Sequence, residues 1–402
     1  MSRRTTGLGE DTLTPTGKLT GLKSQHRSIL LTDYMRQVEP TDRLPLDDLQ
    51  PVLLGLFGEV GSIMATAKKF HREQDAYAGY RHAVEEEFGD ALWYLTALCR
   101  RLNVRLDEIL GEAANGTQYG MSIAANDLLE SPLSRVATPL SVPGLDDSLL
   151  HLGEVAVGLF GLRNSRADAR GNLIAFANGY LRALTASGVT FAEVVRKNIL
   201  KTTGRFLDPD YPTLPTFDLS FPTEEQLPQR FEMVMDQRTN GRSYLRWNGV
   251  FIGDPLTDNI RDADGYRFHD VFHFAHAAIL HWSPTFRALI KHKRKSNPQV
   301  DEAQDGGRAT VVEEGLTAWI FARAKELDYF KGQKGVSFDL LKTVQQFVSG
   351  YEVEDCPLRL WEIAILSGYD VFRQVRDNDG GRIIGDRASR TITFAPLEGN
   401  TK

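Results

Sequence analysis

The segments LLGLFGEVGSIM (53–64) and EEFGDALWYL (86–95) decide the fold. In both, apolar residues recur at three- and four-residue intervals, the period of an α-helix that buries one face. Glu59 is followed three residues later by Ser62, and Glu87 three residues later by Asp90, so each pair lies on one helical face. If the two helices pack antiparallel, several anionic oxygens converge in one groove, which is unfavourable without a neutralising cation. Mg²⁺, with Mn²⁺ as an alternative, suits such hard oxygen ligands and commonly bridges to substrate phosphates. The competing reading makes EEEFGD a solvated acidic helix start beside the positive end of the dipole. Gly89 weighs against it, because glycine inside a helix costs about 1 kcal/mol relative to alanine and calls for a packing or site reason. Gly55, Gly58 and Gly61 repeat the pattern around Glu59 and predict close helix approach around a ligand pocket.

Working outward, helical periodicity covers residues 28–38, 47–69 and 84–102, then 149–162 and 171–206. The first 27 residues read as a polar, flexible tail. Residues 117–145 carry turn formers that separate the two helical groups. LLGLFGEVGSIM and LLHLGEVAVGLF begin alike, so residues 28–116 and 146–206 read as a degenerate tandem repeat, with chance similarity of two amphipathic helices as the alternative. Aligned on Tyr94 and Tyr180, Glu87 and Asp90 correspond to Leu173 and Phe176, so the second copy cannot hold the same metal.

Leu54 to Gly61, Lys68-Lys69 and Glu86 to Leu95, with the lead-in YMRQVEPTD (34–42), resemble the MazG-like nucleotide pyrophosphohydrolases. The resemblance covers residues 30–115 well and 146–206 weakly. It implies an all-α bundle, usually dimeric, that uses Mg²⁺ to cleave nucleoside triphosphates to monophosphate and pyrophosphate. Glu59, Glu87 and Asp90 would be the metal ligands, and Glu86 a further ligand or water-orienting base. Ser62 replaces the second glutamate usual in the first motif, which leaves activity open. Lys68, together with Asn198, Lys201 and Arg205 on one stripe of the last helix, would meet the nucleotide phosphates; basic residues favourably placed at a helix C-terminus are the alternative.

Five prolines between Pro209 and Pro228 make residues 207–230 read as an inter-domain linker. Residues 231–402 read as a second, mainly helical domain with a small β element at RTITFAP. His269, His273 and His276 recur at i, i+4 and i+7 over a predicted helix 268–282, beside Asp270. With Glu314, or Glu313, they could complete a zinc or iron site; histidines hydrogen-bonded inside the core are the alternative. The basic run from Arg287 to Lys295 reads as a solvated helix end or a contact for nucleic-acid phosphates. GDPLTDNIRDADGYRFHD with the histidine helix resembles a C-terminal domain fused to MazG modules in bacterial conflict proteins, which implies a sensing, targeting or second catalytic role, such as nucleotide depletion during phage infection.

The 402 residues favour two domains, and the net charge of −6 argues against a protein that coats nucleic acid or anionic membranes. Cys99 and Cys356 read as free thiols of a cytoplasmic protein, and no run of about 18 apolar residues occurs. The expected partners are nucleoside triphosphates and a second copy of the chain. Two other readings stay open: a non-catalytic nucleotide-binding module, and a metal-dependent hydrolase or nuclease centred on the histidines.

Overall fold

The computed structural model describes residues 31–115 and 144–397; the expected tail and nearly all of the connector 117–145 lie outside the described residues. The chain divides into two compact units. One comprises the chain through Glu39 with Leu44–Asn198, and the other Pro40–Arg43 with Ile199–Lys402.

The first unit is helical throughout its described residues: α1 (Leu31–Val38), α2 (Gln50–Glu73), α3 (Tyr80–Arg101), α4 (Leu106–Asn115), α5 (Leu145–Leu159), α6 (Ala169–Ala186) and the start of α7 (Phe191–Phe206). Pro51 sits in the first turn of α2, where a missing N–H costs nothing. Asn103, at φ 53°, ends α3 in the left-handed conformation that asparagine tolerates. Val52, Leu53, Leu56, Val60 and Ile63 form the buried stripe of α2, and Phe88, Leu92 and Leu95 that of α3. Burying each such side chain contributes about 1.5–3 kcal/mol. The two helices approach closely because Gly55 has no side chain: a Cβ there would stand 2.1 Å from Cε1 of Tyr94. A Cβ on Gly58 or Gly61 would meet nothing within 4 Å, so the close approach inferred from those two glycines is not found. The predicted helix 171–206 is two helices, broken at Gly188, where φ is +74°.

The second unit is mainly helical around a five-stranded antiparallel sheet of order β3-β2-β1-β4-β5, which enlarges the small β element expected. Its strands are β1 (Arg230–Gln237), β2 (Ser243–Trp247), β3 (Val250–Leu256), β4 (Gly380–Asp386) and β5 (Thr391–Ala395). Asn248 and Gly249, at φ 49° and 78°, form the tight turn between β2 and β3; positive φ at both central residues matches the twist of a hairpin. The helices are α8 (Asp270–Ala275), α9 (Pro284–Ile290), α10 (Pro298–Gln304), α11 (Gly307–Lys325), α12 (Phe338–Val348) and α13 (Leu358–Asp377). Helix α13 packs on β4 and β5 and against α8, around Trp282, Trp361, Phe274 and Phe286.

The division between units falls inside α7 rather than in the proline-rich stretch 207–230. In the last turn of α7, Arg205 pairs with Glu362 at 2.9 Å and donates to the Val336 carbonyl at 2.9 Å. Asp218, in the middle of the supposed linker, is wholly buried and accepts from Arg287 (2.6 Å), Arg387 (2.7 Å) and the Leu227 amide (2.8 Å). In the basic run Lys291 and Lys295 are exposed, but Arg287 and Arg294 are not solvated: each is 1% exposed, and Arg294 forks onto Asp305 and Glu352. Prolines mark where this stretch bends, whereas its buried carboxylate and its partners tie it into the core.

Candidate metal centres

Helices α2 and α3 bring Glu59, Glu87 and Asp90 together as expected: one oxygen from each lies within 4.8 Å of the others, and all three side chains are half-buried. Glu86, one residue off this face, lies outside the converging set and is 6% exposed. Ser62 is half-buried one turn beyond Glu59, and Lys68 is exposed near the end of α2.

Asn198 joins the trio through α7. Its Nδ2 donates to Oδ1 of Asp90 at 3.3 Å, and its Oδ1 accepts from the hydroxyl of Tyr34 at 3.1 Å. Burial, opposed by a hydrogen bond with Thr96 and reinforced by the charge of Asp90, pushes the Tyr34 phenol well above its ordinary range, so it stays a donor. This explains Gly89: a Cβ there would lie 3.0 Å from Cβ of Asn198 and 3.2 Å from its Nδ2. The sequence marked Asn198 as a phosphate ligand, whereas the structure sets it on a carboxylate; Tyr34 as its anchor was missed. No periodicity signals a side chain contributed from so far along the chain. Arg205, also expected at phosphates, spends its guanidinium on Glu362 and Val336, and the Lys201 ammonium stands 4.5 Å from the centre of the Phe338 ring.

In the second unit the expected helix 268–282 is composite: a 3₁₀ turn at Tyr266–Phe268, α8, and a π-helical turn at His276–Leu280. It stops at His281, which adopts φ 60° and bonds through Nε2 to the Arg387 carbonyl at 2.9 Å. The histidines divide between two adjacent glutamates of α11. His269, His273 and Glu314 form one set whose donor atoms lie within 4.8 Å; His273, His276 and Glu313 form another. The expected grouping of His276 with Glu314 is therefore not found, because Nδ1 of His276 points to Oε1 of Glu313 at 2.9 Å. Glu313 is also held by Ser283 Oγ at 3.0 Å and the Thr285 amide at 2.9 Å, a role for Ser283 beyond the helix start read from the sequence.

The charges of this cluster act strongly on one another. Burial alone would raise Glu313, but His273 and His276 bring it down to about 2. Burial likewise opposes the charge of His273, and the two glutamates outweigh it and raise its pKa well above the ordinary value. Glu314 is driven below the usual carboxylate range by His269 and His273, again against burial.

Residues 212–398, just under half of the chain, match the family model described as the MazG C-terminal domain, which relates the chain to the nucleoside-triphosphate pyrophosphohydrolases; no pyrophosphohydrolase core model is matched. A Mycobacterium phage L5 protein described as "Gene 37 protein" is 32% identical over 75 residues, which is 18% of this chain and 66% of the phage protein, a little under two thirds of that relative. No solved structure matches. Among the described residues, no helix is long and apolar enough to cross a membrane.

Proposed function

We propose that the first unit hydrolyses nucleoside triphosphates to monophosphate and pyrophosphate in a Mg²⁺-dependent reaction centred on Glu59, Glu87 and Asp90. The observation that carries the reading is the convergence of these three carboxylates from two helices within 4.8 Å. Three carboxylates this close together favour a cation among them, and an oxygen-only donor set fits a hard dication that keeps some of its own waters. When bound, Mg²⁺ would neutralise phosphate charge and lower the pKa of an attacking water.

The chain's own residues supply the positioning that phosphoanhydride cleavage requires. Glu59, on α2, and Glu87 with Asp90, on α3, would hold the ion. Asn198 fixes the rotamer of Asp90, and Tyr34 fixes Asn198, so one carboxylate is oriented before any ligand arrives. Lys68 remains the cation of this unit proposed to meet the polyphosphate. Arg205 is left out of the proposal because Glu362 already holds it. The relation of the second unit to MazG proteins supports the same substrate class.

The test is incubation of the purified chain with a panel of ribo- and deoxyribonucleoside triphosphates and Mg²⁺, with both products quantified. Equimolar monophosphate and pyrophosphate are expected, lost on chelation of Mg²⁺. Nucleotide binding without turnover would replace the reading by that of a nucleotide-sensing module, with Ser62 marking the decayed position.

A further inference from the structure

The histidine cluster of the second unit is built from residues that the proposed nucleotide chemistry does not use. On His269, Nδ1 lies 2.9 Å from the Tyr266 carbonyl, which can only accept, so Nδ1 carries a proton and Nε2 is the nitrogen turned towards Glu314. That nitrogen faces Oε2 of Glu314 at 3.5 Å and Oδ1 of Asp270 at 3.8 Å. His273 is wholly buried, with Oε1 of Glu313 at 3.1 Å from its Nδ1 and Oε1 of Glu314 at 3.2 Å from its Nε2. Imidazoles and carboxylates drawn this close in a buried cluster need positive charge among them, which a proton on a ring or a bound metal ion in its place supplies.

From this arrangement we infer that His269 Nε2, His273 Nε2 and a Glu314 oxygen form a binding site for a divalent transition metal, zinc or ferrous iron. Two imidazoles and one carboxylate suit these metals, whereas Mg²⁺ prefers oxygen. Metal–ligand bonds of about 2.0–2.2 Å place neighbouring donors of a four-coordinate centre about 3.3 Å apart. Oε1 of Glu314 stands 3.2 Å from His273 Nε2 and Oε2 stands 3.5 Å from His269 Nε2, each close to that spacing, and one donor atom from each of the three residues lies within 4.8 Å of the others.

The surroundings have the form of a supporting shell. The Tyr266 carbonyl holds the back of His269, and the ring of Tyr266 stacks on it at 4.4 Å and 7°. Glu313 stands behind His273 and is itself fixed by His276, Ser283 and Thr285. A π-helical turn begins at His276, an irregularity frequent at functional sites. Three protein ligands leave a coordination position for water or an exogenous ligand, and access exists on the Glu314 side, whose side chain is 38% exposed. Along the same face of α11, Ala318, Phe321 and Lys325 follow Glu314 and line a groove of about 520 Å³ that Tyr266 also borders.

The test uses the full chain purified without chelator. Elemental analysis should find stoichiometric zinc or iron, and the chelated protein should take up Co²⁺ with ligand-field absorption of a nitrogen-containing site. With excess Mg²⁺ present to occupy the oxygen-only site, Glu314→Gln and His273→Gln should weaken Co²⁺ binding by at least about tenfold. Since replacing a wholly buried histidine risks unfolding, Glu314→Gln, on the exposed edge, decides the matter, with circular dichroism confirming its fold. Failure of the chain to take up stoichiometric Co²⁺, or equal uptake by wild type and Glu314→Gln, would overturn the site. The readout is metal content, so it stands apart from the outcome of the nucleotide assay.

Discussion

The two clusters answer the same problem, convergent carboxylates, in different ways. On α2 and α3 the donors are oxygens only, half-buried, and steadied by the Asn198–Tyr34 pair. In the second unit two carboxylates alternate with three imidazoles, and His273 and Glu313 are wholly buried. A half-open oxygen site suits an ion that arrives with substrate and exchanges. A buried site with nitrogen donors suits an ion held as part of the fold. The frames differ accordingly: the acid trio stands on apolar helix packing, whereas the second unit carries a buried lattice of Asp218, Arg287, Arg294, Asp305 and Arg387.

The largest effect that could break this contrast is on turnover. Glu87→Gln should lower kcat by about three orders of magnitude, since a metal-held charge contributes several kcal/mol to the transition state, and should leave the thermal unfolding of the chain near wild type. Retained turnover would mean that the trio is a solvated acidic face.

Next is the lattice. Asp218 is held below the usual carboxylate range because Arg387 and Arg287 outweigh the opposing effect of its burial. Asp218→Asn leaves two buried guanidiniums short of a charge and should cost about 3 kcal/mol in chemical denaturation. A loss under about 0.5 kcal/mol would show that burial of charge contributes little to this unit.

Arg205→Ala sharpens the comparison at the helix both units share. Glu362 keeps Arg359 and the Val336 amide, so a loss of about 2 kcal/mol in stability is expected, with the nucleotide KM unchanged. A raised KM at unchanged stability would restore Arg205 as a phosphate ligand.

The smallest effect concerns pH. Burial, with Arg387 and Arg390 nearby, lowers the pKa of His281 from 6.5 to about 3. A depressed folded value stabilises above the unfolded pKa, and the contribution is lost as pH falls from 6.5 towards 3. By about pH 5 the loss is about 1 kcal/mol after allowance for partial exposure. His281→Asn should therefore flatten the dependence of stability on pH between about 7 and 5; an unchanged slope would assign it to other groups.

How much of this was legible follows from the range of the interactions. The helices of the first unit and the face shared by Glu87 and Asp90 follow from local periodicity, and so does the i, i+4 pairing of His269 with His273. Asn248-Gly249 between alternating residues signalled a hairpin that helical periodicity elsewhere overshadowed, so four of the five strands were missed. The buried arginines resembled a surface run because their partners, Asp218 and Glu352, are distant in sequence. Asn198 reaches Asp90 across 108 residues. Gly89 signalled that something packs there but could not name what.

The measurement that tests the central claim most directly is simultaneous quantification of monophosphate and pyrophosphate released from a nucleoside triphosphate in Mg²⁺, by wild type and by Glu87→Gln. The account predicts equimolar products from wild type and none above background from the variant. Diphosphate and orthophosphate as products, or equal release by the two proteins, would contradict it.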